Sequence, residues 1–525
     1  MSEPVGRGAV PRVFGTPAEP VVLDRLPRRA AANWPDRTAL VCGERGLTFR
    51  QLDAEVDRFA RAIAAALPGD GSVVGATTVL SPEFAALYYG IARAGQVIVS
   101  VNPYLPAPGL RHVLAASRTR LLFAPAALLG RLAEVRGQLP DLERVVVLDG
   151  PGGAAGAETL AEFLASGEGA ADPAPATGVE DPGGLHFTSG TTGAPKAVVL
   201  SHRNLTVNAA QIAHAHRIDH TSVVANHLPL YHLMHLNSAV HAGATQVLCP
   251  GEDPVEALAA AERHRAVRLF SLPVRLARLA ADPRLPQLGA GSLEAVLSGG
   301  SALPQAAAET LADHFGIPVL QGYGLAETSP VTHTGVIDDP RAGSVGPVVA
   351  GTECRIVEVD TRAVLGPGER GEVQVRGPQV MTGYLDPALP TGIDADGWFS
   401  TGDVGRVDED GFLYLVDRLK DVFKHDNWLV SPVRIEEELA RHPAVADCAV
   451  VDRPDGLGNG VAHAFVVVRP DGGPDVLDRI ADFVNGRVAY YERIRHITAL
   501  DTVPRSPNGK ILRAELRSRS AAGTD

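Results

Sequence analysis

The sequence predicts an α/β fold in which parallel sheets are covered by helices. Short apolar runs that are typical of buried strands occur at residues 73–80, 97–101 and 120–124. Helical patterns of apolar residues separate these runs, at residues 83–94 and 111–116. Because consecutive strands that are joined through a helix usually lie parallel in one sheet, this alternation favours parallel sheets with helices on their faces.

Length and composition indicate a large globular protein. The chain has 525 residues, enough for more than one domain, and carries a net charge of −13, which argues against bulk binding to nucleic acid or a membrane surface. No apolar run approaches the roughly 18 residues of a membrane span, and the first 20 residues lack the apolar core of a signal peptide. The four cysteines are far apart, without metal-binding spacing, so a reducing cytoplasm is the expected location.

Lysine is rare in this chain. Of 48 basic residues only four are lysines, at positions 196, 420, 424 and 510. Lysine is a compact charge on a flexible stem, whereas arginine is a wide planar fork, so the remaining lysines are expected where arginine would not serve.

Residues 149–183 are rich in Gly, Ala, Pro and acidic residues, which predicts a surface linker. A short apolar strand pattern follows this linker and leads into a loop that is dense in polar residues. Leu185 to Phe187 resemble the end of a buried strand. Glycines allow close approach of backbone N–H groups to a ligand, and hydroxyls and an ammonium group add donors, a combination that suits triphosphate oxygens. The residues concerned are Thr188, Ser189, Gly190, Thr191, Thr192, Gly193 and Lys196.

Two common phosphate-binding loops are excluded. A Walker A loop has glycine directly before its lysine, where this chain has Pro195, and the three spaced glycines of a dinucleotide-binding loop are absent. The stretch instead resembles the phosphate loop of the adenylate-forming superfamily, which includes acyl-CoA synthetases, adenylation domains and luciferases. In that family the loop grips the β- and γ-phosphates of ATP, and the resemblance covers about residues 20–513 with its motifs in the family's order.

The resemblance implies a fold. We expect a large N-terminal domain over residues 1–416 that binds ATP and a carboxylate, with parallel sheets covered by helices and a β-barrel-like subdomain. Residues 417–525 are expected to form a small mobile α+β domain that carries a catalytic lysine.

Two further motifs resemble the family's nucleotide site. The segment with Gly299, Gly300 and Ser301 corresponds to the one that lies against adenine, and residues 321–328 correspond to the one that follows it. There the resemblance implies that Tyr323 stacks on adenine and that Glu327, with Thr188, holds Mg²⁺, since a flat π-face suits a base and a carboxylate suits a hard cation. The flanking members of the second motif are Gly322, Gly324 and Ala326, the last of which replaces the family's usual hydroxyl residue.

Later motifs resemble the family's ribose site and hinge. Asp403 corresponds to the aspartate that accepts hydrogen bonds from the ribose diol, and a hairpin turn is expected just after it at Asp410. Arg418 corresponds to an arginine near ribose and phosphate, and Lys420 to the hinge residue. Residues 381–385 resemble a strand and turn of mainly structural role.

A region rich in histidine corresponds to the carboxylate pocket. His232 resembles the histidine that lines this pocket and Met234 and Val331 are expected in its walls, while no aspartate for a substrate amine occurs between Asn226 and Gly243. A plain α-amino acid is therefore disfavoured. A metal site built from the four histidines of residues 227–241 is also disfavoured, because no companion Cys, Asp or Glu has the required spacing.

The C-terminal part carries the remaining family positions. Lys510, on a loop marked by Pro and Gly, corresponds to the catalytic lysine that bridges the carboxylate and the α-phosphate. Asn427 stands where the family generally has glycine, in the loop facing the pantetheine tunnel, and Trp428 follows it.

Three functions remain open from the residues, of which one, a degenerate nucleotide-binding protein without turnover, is disfavoured by the four lysines within motifs and by the presence of Asp403 and Glu327. The motifs resemble most those of fatty- or aryl-acid CoA ligases, which implies ATP-dependent formation of an acyl-AMP, release of pyrophosphate and transfer to coenzyme A, with ATP, Mg²⁺ and coenzyme A as cofactors. The alternative is an adenylate-forming enzyme of specialised metabolism whose acceptor is a carrier-protein thiol or an amine, or which forms an N–N bond. Asn427, Trp428, Ala326 and the histidine-rich pocket favour the alternative.

Overall fold

The computed structural model of the chain describes residues 19–150, 156–188, 195–228, 233–419, 421–425, 428–454, 460–470, 473, 475–505 and 511–522. Internal contacts divide the chain into two units. The first comprises Pro11–Glu353 and Val375–Phe399, and the second comprises Cys354–Gln374 and Ser400–Asp525. The predicted boundary at residue 417 falls inside the second unit, and the mobility of residues 417–525 stays a prediction.

The helices of the described residues are distributed along both units. They are α1 (Arg25–Asn33), α2 (Phe49–Ala66), α3 (Pro82–Arg93), α4 (Ala107–Ala116), α5 (Ala126–Val135), α6 (Leu160–Ala165), α7 (His202–Ala215), α8 (Leu233–Ala242), α9 (Pro254–Arg263), α10 (Pro273–Ala280), α11 (Gln305–Phe315), α12 (Pro432–Ala440), α13 (Val476–Asn485) and α14 (Arg513–Ala522). None of them is both long and apolar enough to cross a membrane.

The strands of the first unit alternate with these helices. They are β1 (Thr38–Cys42), β2 (Arg45–Thr48), β3 (Val73–Thr77), β4 (Val97–Val101), β5 (Leu121–Ala124), β6 (Arg144–Val147), β7 (Glu158–Thr159), β8 (Pro182–Phe187), β9 (Ala197–Ser201), β10 (Val223–His227), β11 (Thr245–Leu248), β12 (Arg268–Ser271), β13 (Ala295–Ser298), β14 (Val319–Gly324) and β15 (Val331–Thr334). The later strands are β16 (Glu353–Val357), β17 (Gly371–Arg376), β18 (Gly383–Tyr384), β19 (Phe399–Val407), β20 (Leu413–Arg418), β21 (Phe423–His425), β22 (Trp428–Val430), β23 (Val445–Pro454), β24 (Gly460–Val468) and β25 (Ile494–Ala499).

The first unit contains two eight-stranded sheets whose interiors are parallel. One has the order β15-β14-β13-β12-β10-β11-β1-β2, with antiparallel pairs only at its two ends. The other has the order β18-β9-β8-β4-β3-β5-β6-β7, and its antiparallel pairs are β18–β9 and β9–β8. The predicted α/β class with parallel sheets is confirmed.

The second unit contains smaller sheets. A four-stranded sheet with the order β16-β17-β19-β20 corresponds to the part expected to be barrel-like, and β23, β24 and β25 form a three-stranded sheet. The helices α12 and α13 pack on that sheet through a common apolar cluster that includes Ile435, Val450 and Ile480. This α+β arrangement agrees with the expectation for the C-terminal part.

Local sequence sets several element boundaries. Thr48 and Gln51 form a capping box at the start of α2, and Ser81 caps α3, which begins with Pro82. The strand predicted over residues 73–80 was too long, because β3 ends at Thr77 and the chain then turns toward the Ser81 cap.

The surface linker predicted over residues 149–183 contains regular structure and a buried side chain in its middle part. Residues 158–165 form β7 and α6, which starts with a capping box between Thr159 and Glu162. Phe163 is fully buried, and its ring meets the edge of Phe123 with centroids 5.1 Å apart. Burial of this one aromatic side chain anchors a segment whose composition resembles a loop.

Candidate nucleotide site

The residues on either side of the polar loop close the end of an antiparallel hairpin. Strands β8 and β9 pair from Pro182 and Ser201 to Phe187 and Ala197, so Thr188 and Lys196 lie at the same end of this pair. Thr188 N donates a hydrogen bond to Lys196 O at 2.9 Å, and Lys196 N donates one to Thr188 Oγ1 at 3.2 Å. The predicted residues Thr188 and Lys196 are therefore held side by side. Ser189, Gly190, Thr191, Thr192 and Gly193 lie outside the described residues.

The ammonium group of Lys196 lies over an aromatic ring. Its Nζ is 5.0 Å from the centroid of Tyr384, a distance at which the negative face of the ring attracts a cation. Tyr384 is fixed there because β18 pairs with β9, which places Tyr384 opposite Val198, and because Leu385 N donates to Ala197 O at 2.8 Å.

The carboxylate of Glu327 contacts the other end of the same tyrosine. Tyr384 Oη donates a hydrogen bond to Glu327 Oε1 at 3.0 Å, and Met381 N donates to Glu327 O at 2.8 Å. Burial, and then the adjacent Glu327 charge, hold the pKa of Tyr384 well above its usual value, so the phenol remains protonated as a donor. Two predicted residues, Lys196 and Glu327, thus share one partner.

Sequence analysis missed this partner. Residues 381–385 were expected to be mainly structural, and nothing in their local pattern distinguishes Tyr384 from an ordinary strand tyrosine. Only the pairing of β18 with β9, together with hydrogen bonds from Asn204 on α7 to the carbonyl oxygens of Pro378 and Val380, brings the segment to the site.

The two glycine-containing motifs meet where neighbouring parallel strands end. Ser298 on β13 pairs with Gln321 on β14, and a Cβ added at Gly299 would lie 3.3 Å from Gly322 O. Gly300 has a φ of +87°, which favours glycine. Because ligands of open α/β sheets bind beyond the carboxyl ends of strands, this position agrees with the predicted nucleotide site.

Gly324 is required by a close crossing of strands. A Cβ at this position would overlap the carbonyl oxygen of Pro330 at the end of the turn that carries Glu327. The neighbouring Tyr323 is 9% exposed, and its ring centroid is 5.9 Å from that of His333. Ala326 is half-buried, and Ser301 is exposed.

Two residues expected in the acid pocket share an apolar cluster. Val331 is 6% exposed and packs with Ile212 and Val349, and Met234 packs against the same cluster. His232 lies outside the described residues, so its place beside Met234 stays a prediction.

Two histidines of residues 227–241 have structural contacts. The ring nitrogens of His227 bond Ser271 Oγ at 3.1 Å and Gly251 O at 3.2 Å. The ring of His235 packs against Phe270 with centroids 4.1 Å apart. Within the described part of the chain, no three or more His, Cys, Asp or Glu side chains are grouped so that they could hold a metal ion.

In the second unit, the predicted ribose-binding residues form an ion pair. Asp403 on β19 is opposite Arg418 on β20, and Arg418 Nε lies 3.1 Å from Asp403 Oδ1. Thr401 Oγ1 accepts a hydrogen bond from Asp403 N at 3.1 Å and donates one to Val373 O at 2.7 Å. The hairpin turn that was expected near Asp410 connects these two strands.

The residues that flank the predicted hinge are anchored by side chains. Asp417 Oδ2 accepts a hydrogen bond from Ser431 Oγ at 3.0 Å, at the start of α12. Asp421 accepts one from Arg517 of α14 at 3.1 Å, and the same guanidinium bonds Asp452 at 2.7 Å. Lys420, which is predicted to be the hinge residue, lies outside the described residues, as do Asn427 and Lys510.

Comparison with known proteins identifies two matching family models and a full-length relative. A family model described as AMP-binding enzyme matches residues 27–385, and one described as AMP-binding enzyme C-terminal domain matches residues 434–510. The chain is 34% identical over 530 residues to 4-coumarate–CoA ligase 5 of Oryza sativa subsp. japonica, covering 97% of this chain and 95% of the relative.

Solved structures of similar fold include enzymes with different acceptors. The anthranilate CoA ligase AuaEII, in complex with anthranoyl-AMP, has a TM-score of 0.85 at 26% identity, with 96% of this chain and 98% of that chain covered. The amide bond synthetase McbA from Marinactinospora thermotolerans has a TM-score of 0.82 at 25% identity, with 95% and 99% covered. From the matched family model and the full-length relative, this protein belongs to the AMP-binding enzyme family of adenylate-forming ligases.

Proposed function

We propose that this protein activates a carboxylic acid with ATP, forming an acyl-AMP and releasing pyrophosphate, and then transfers the acyl group to coenzyme A. The observation that carries the proposal is the placement of Lys196 and Glu327 around Tyr384, with Lys196 ending the polar motif in the sequence. A cation and a carboxylate held around one side chain, together with the hydroxyl residues and glycines that precede Lys196 in the sequence, suit a triphosphate with its counterion.

The residues of the loop region fit a magnesium–triphosphate. Lys196, with the loop hydroxyls, would bind the pyrophosphate that leaves, while Glu327 and Thr188 would hold Mg²⁺ through oxygen atoms. The second carboxylate oxygen of Glu327 and the hydroxyl of Thr188 are ligands of the kind Mg²⁺ prefers, and Mg²⁺ usually takes its other ligands from phosphates and water. When bound, the cation neutralises phosphate charge.

The remaining motif residues are assigned to the nucleoside and to the reacting atoms. Asp403 and Arg418 would bind ribose, and Tyr323 would orient adenine. In the first half-reaction a carboxylate oxygen forms a bond to the α-phosphorus as the bond to the β-phosphate oxygen breaks and pyrophosphate departs. Lys510 would offset the repulsion between the carboxylate and the α-phosphate and stabilise the charge that develops between them.

The acid is proposed to carry an apolar or aromatic group. Met234 and Val331 pack in one apolar cluster, and the absence of aspartate between Asn226 and Gly243 removes the partner that a substrate amine would need. His232 would contact the carboxylate end. The relatives that act on aryl acids support this assignment.

A second candidate changes only the acceptor. Asn427 replaces the glycine that the family generally has in the loop facing the pantetheine tunnel, and an amide bond synthetase is among the proteins of similar fold. In this candidate an amine or a carrier-protein thiol takes the acyl group from the adenylate. A cytoplasmic location remains a prediction in either case.

Product mass spectrometry tests the proposal. The protein is incubated with ATP, Mg²⁺ and a panel of aryl and fatty acids, with and without coenzyme A, and a Lys510→Ala variant serves as the control for non-enzymatic products. We expect a thioester only when coenzyme A is present and only with the unmodified protein. AMP or adenylate that accumulates without thioester, and amide that forms when an amine is added, would replace the first candidate by the second.

A further inference from the structure

We propose that Tyr384 is a positioning residue that keeps the ammonium group of Lys196 and the carboxylate of Glu327 apart, so that both can engage one magnesium–triphosphate. The inference rests on the proposed function, because it assigns Lys196 to the phosphates and Glu327 to the cation. It adds a residue from a segment that sequence analysis treated as structural.

The backbone holds the tyrosine from two sides. On one side, β18 pairs with β9, the strand that begins directly after Lys196, and Thr382 N donates to Val199 O at 3.2 Å. On the other side, Met381 N donates to Glu327 O at 2.8 Å. The ring is therefore fixed relative to the main chain of both charged residues, and no change in the tyrosine backbone is needed to contact either one.

The two contacts use different parts of the side chain. The ring face, 5.0 Å from Lys196 Nζ, attracts the cation, and the hydroxyl donates to one oxygen of Glu327 at 3.0 Å. A lysine ammonium on its flexible stem would otherwise be drawn to a nearby carboxylate, and such an ion pair would occupy the groups that the phosphates and cation need. With the tyrosine present, each charge has an uncharged partner instead of an opposite charge, and a phosphate or a cation can displace or share that partner.

The hydroxyl and the ring should therefore affect different ligands. Loss of the hydroxyl alone releases Glu327 and is expected to weaken the response to Mg²⁺. Loss of the ring also releases Lys196 and is expected to weaken binding of the phosphates themselves. A tyrosine that only fills space would not separate these two effects.

Tyr384→Phe and Tyr384→Leu test the proposal in the full-length protein. Tyr414→Phe is a matched control, because Tyr414 makes a comparable pair of contacts with other residues: Arg406 lies 4.2 Å over its ring, and its hydroxyl bonds Asp408 Oδ2 at 3.3 Å. Binding of β,γ-methylene-ATP is measured by titration calorimetry with and without Mg²⁺, and ATP–pyrophosphate exchange is measured over a range of Mg²⁺ concentrations.

We expect Tyr384→Phe to raise the Mg²⁺ concentration for half-maximal exchange about fivefold, the size of effect expected from one lost hydrogen bond, and to leave binding of the metal-free analogue unchanged. Tyr384→Leu should weaken the analogue in both conditions. Tyr414→Phe should match the unmodified protein. In a Glu327→Gln background, Tyr384→Phe should have little further effect, since its hydroxyl acts through that carboxylate.

The opposite results are equally informative. An unchanged Mg²⁺ response in a folded Tyr384→Phe variant, or an effect of the same size in the Glu327→Gln background, overturns the positioning role. If the unmodified protein binds the analogue but no acid in the panel supports ATP–pyrophosphate exchange, the proposed function fails. The binding measurements still decide the role of Tyr384.

Discussion

Asp403 and Arg418 face each other across strands β19 and β20, with Arg418 Nε 3.1 Å from Asp403 Oδ1. The side chain of Asp403 is 7% exposed and that of Arg418 is 46% exposed. The strand and Thr401 Oγ1, which accepts a hydrogen bond from Asp403 N, hold the backbone of Asp403, while the half-exposed guanidinium of Arg418 has room to reorient. This combination suits a carboxylate that accepts hydrogen bonds from a diol beside an arginine that adapts to a neighbouring phosphate.

Replacing Asp403 by Asn should impair nucleotide use more than acid use. Asn keeps the size of the side chain but removes the charge that orients Arg418, so we expect the KM for ATP to rise about tenfold, in line with the loss of a charge-assisted hydrogen bond. Steady-state kinetics with each substrate varied in turn would measure this. Glu409→Gln, an exposed charge change on the same hairpin, is the control. Equal changes in both KM values would contradict the assignment to ribose.

Replacing Lys420 by Pro should separate the two half-reactions. Proline fixes φ and removes the backbone N–H, so a hinge at this position would lose its freedom, whereas Lys420→Ala removes the side chain and keeps that freedom. We expect ATP–pyrophosphate exchange to persist and thioester formation to stop in the proline variant, and both to persist in the alanine variant. Equal loss of the two half-reactions in the proline variant would argue against a hinge.

Replacing Gly324 by Ala should destabilise the protein. The added Cβ overlaps the carbonyl oxygen of Pro330, and main-chain atoms at this strand crossing have no room to move, so a loss of about 3 kcal/mol or more in unfolding free energy is expected. Gly130→Ala is the control with the opposite sign. It lies exposed in α5 with no atom within 4 Å of an added Cβ, and should gain about 0.5–1 kcal/mol. Chemical denaturation of both variants measures the difference.

Acid should destabilise the protein through buried histidines. Burial lowers the pKa of His202 and His227 to about 4, and that of His216 and His333 to about 3. The unfolded chain binds these protons near pH 6.5 and the folded chain does not. Their stabilising effect is therefore complete above that pH and is lost as the pH falls toward 4, at about 1.4 kcal/mol per pH unit for each histidine.

A single substitution tests whether a buried histidine contributes to this loss of stability in acid. His202 Nδ1 accepts a hydrogen bond from Leu23 N at 3.2 Å, and Asn at this position can offer Oδ1 in the same place without titrating. The His202→Asn variant should lose stability less steeply between pH 6.5 and pH 4, measured as the pH dependence of the thermal midpoint. An unchanged slope would exclude His202 as a contributor.

The elements that could be predicted from sequence were those with strong local periodicity. The alternation of apolar strands and amphipathic helices was enough to predict the parallel sheets, and the order of the motifs was enough to predict the family. The segment 149–183 shows the limit, because its Gly- and Pro-rich composition resembles a loop, while the burial of Phe163 against Phe123 makes part of it helical. That contact joins residues that are far apart in sequence.

The sequence by itself determined which residue types are present for the chemistry: the hydroxyl loop with Lys196, the carboxylates of Glu327 and Asp403, and Lys510. Each belongs to a short motif, and the spacing of residues within a short motif can be read directly from the sequence. The tertiary structure alone decided how motifs share partners. Tyr384 lies 188 positions after Lys196 and 57 after Glu327, and it meets both only because β18 adds to the edge of a sheet beside β9. Strand pairing at a sheet edge is set by packing across the whole unit, so no local pattern reveals it.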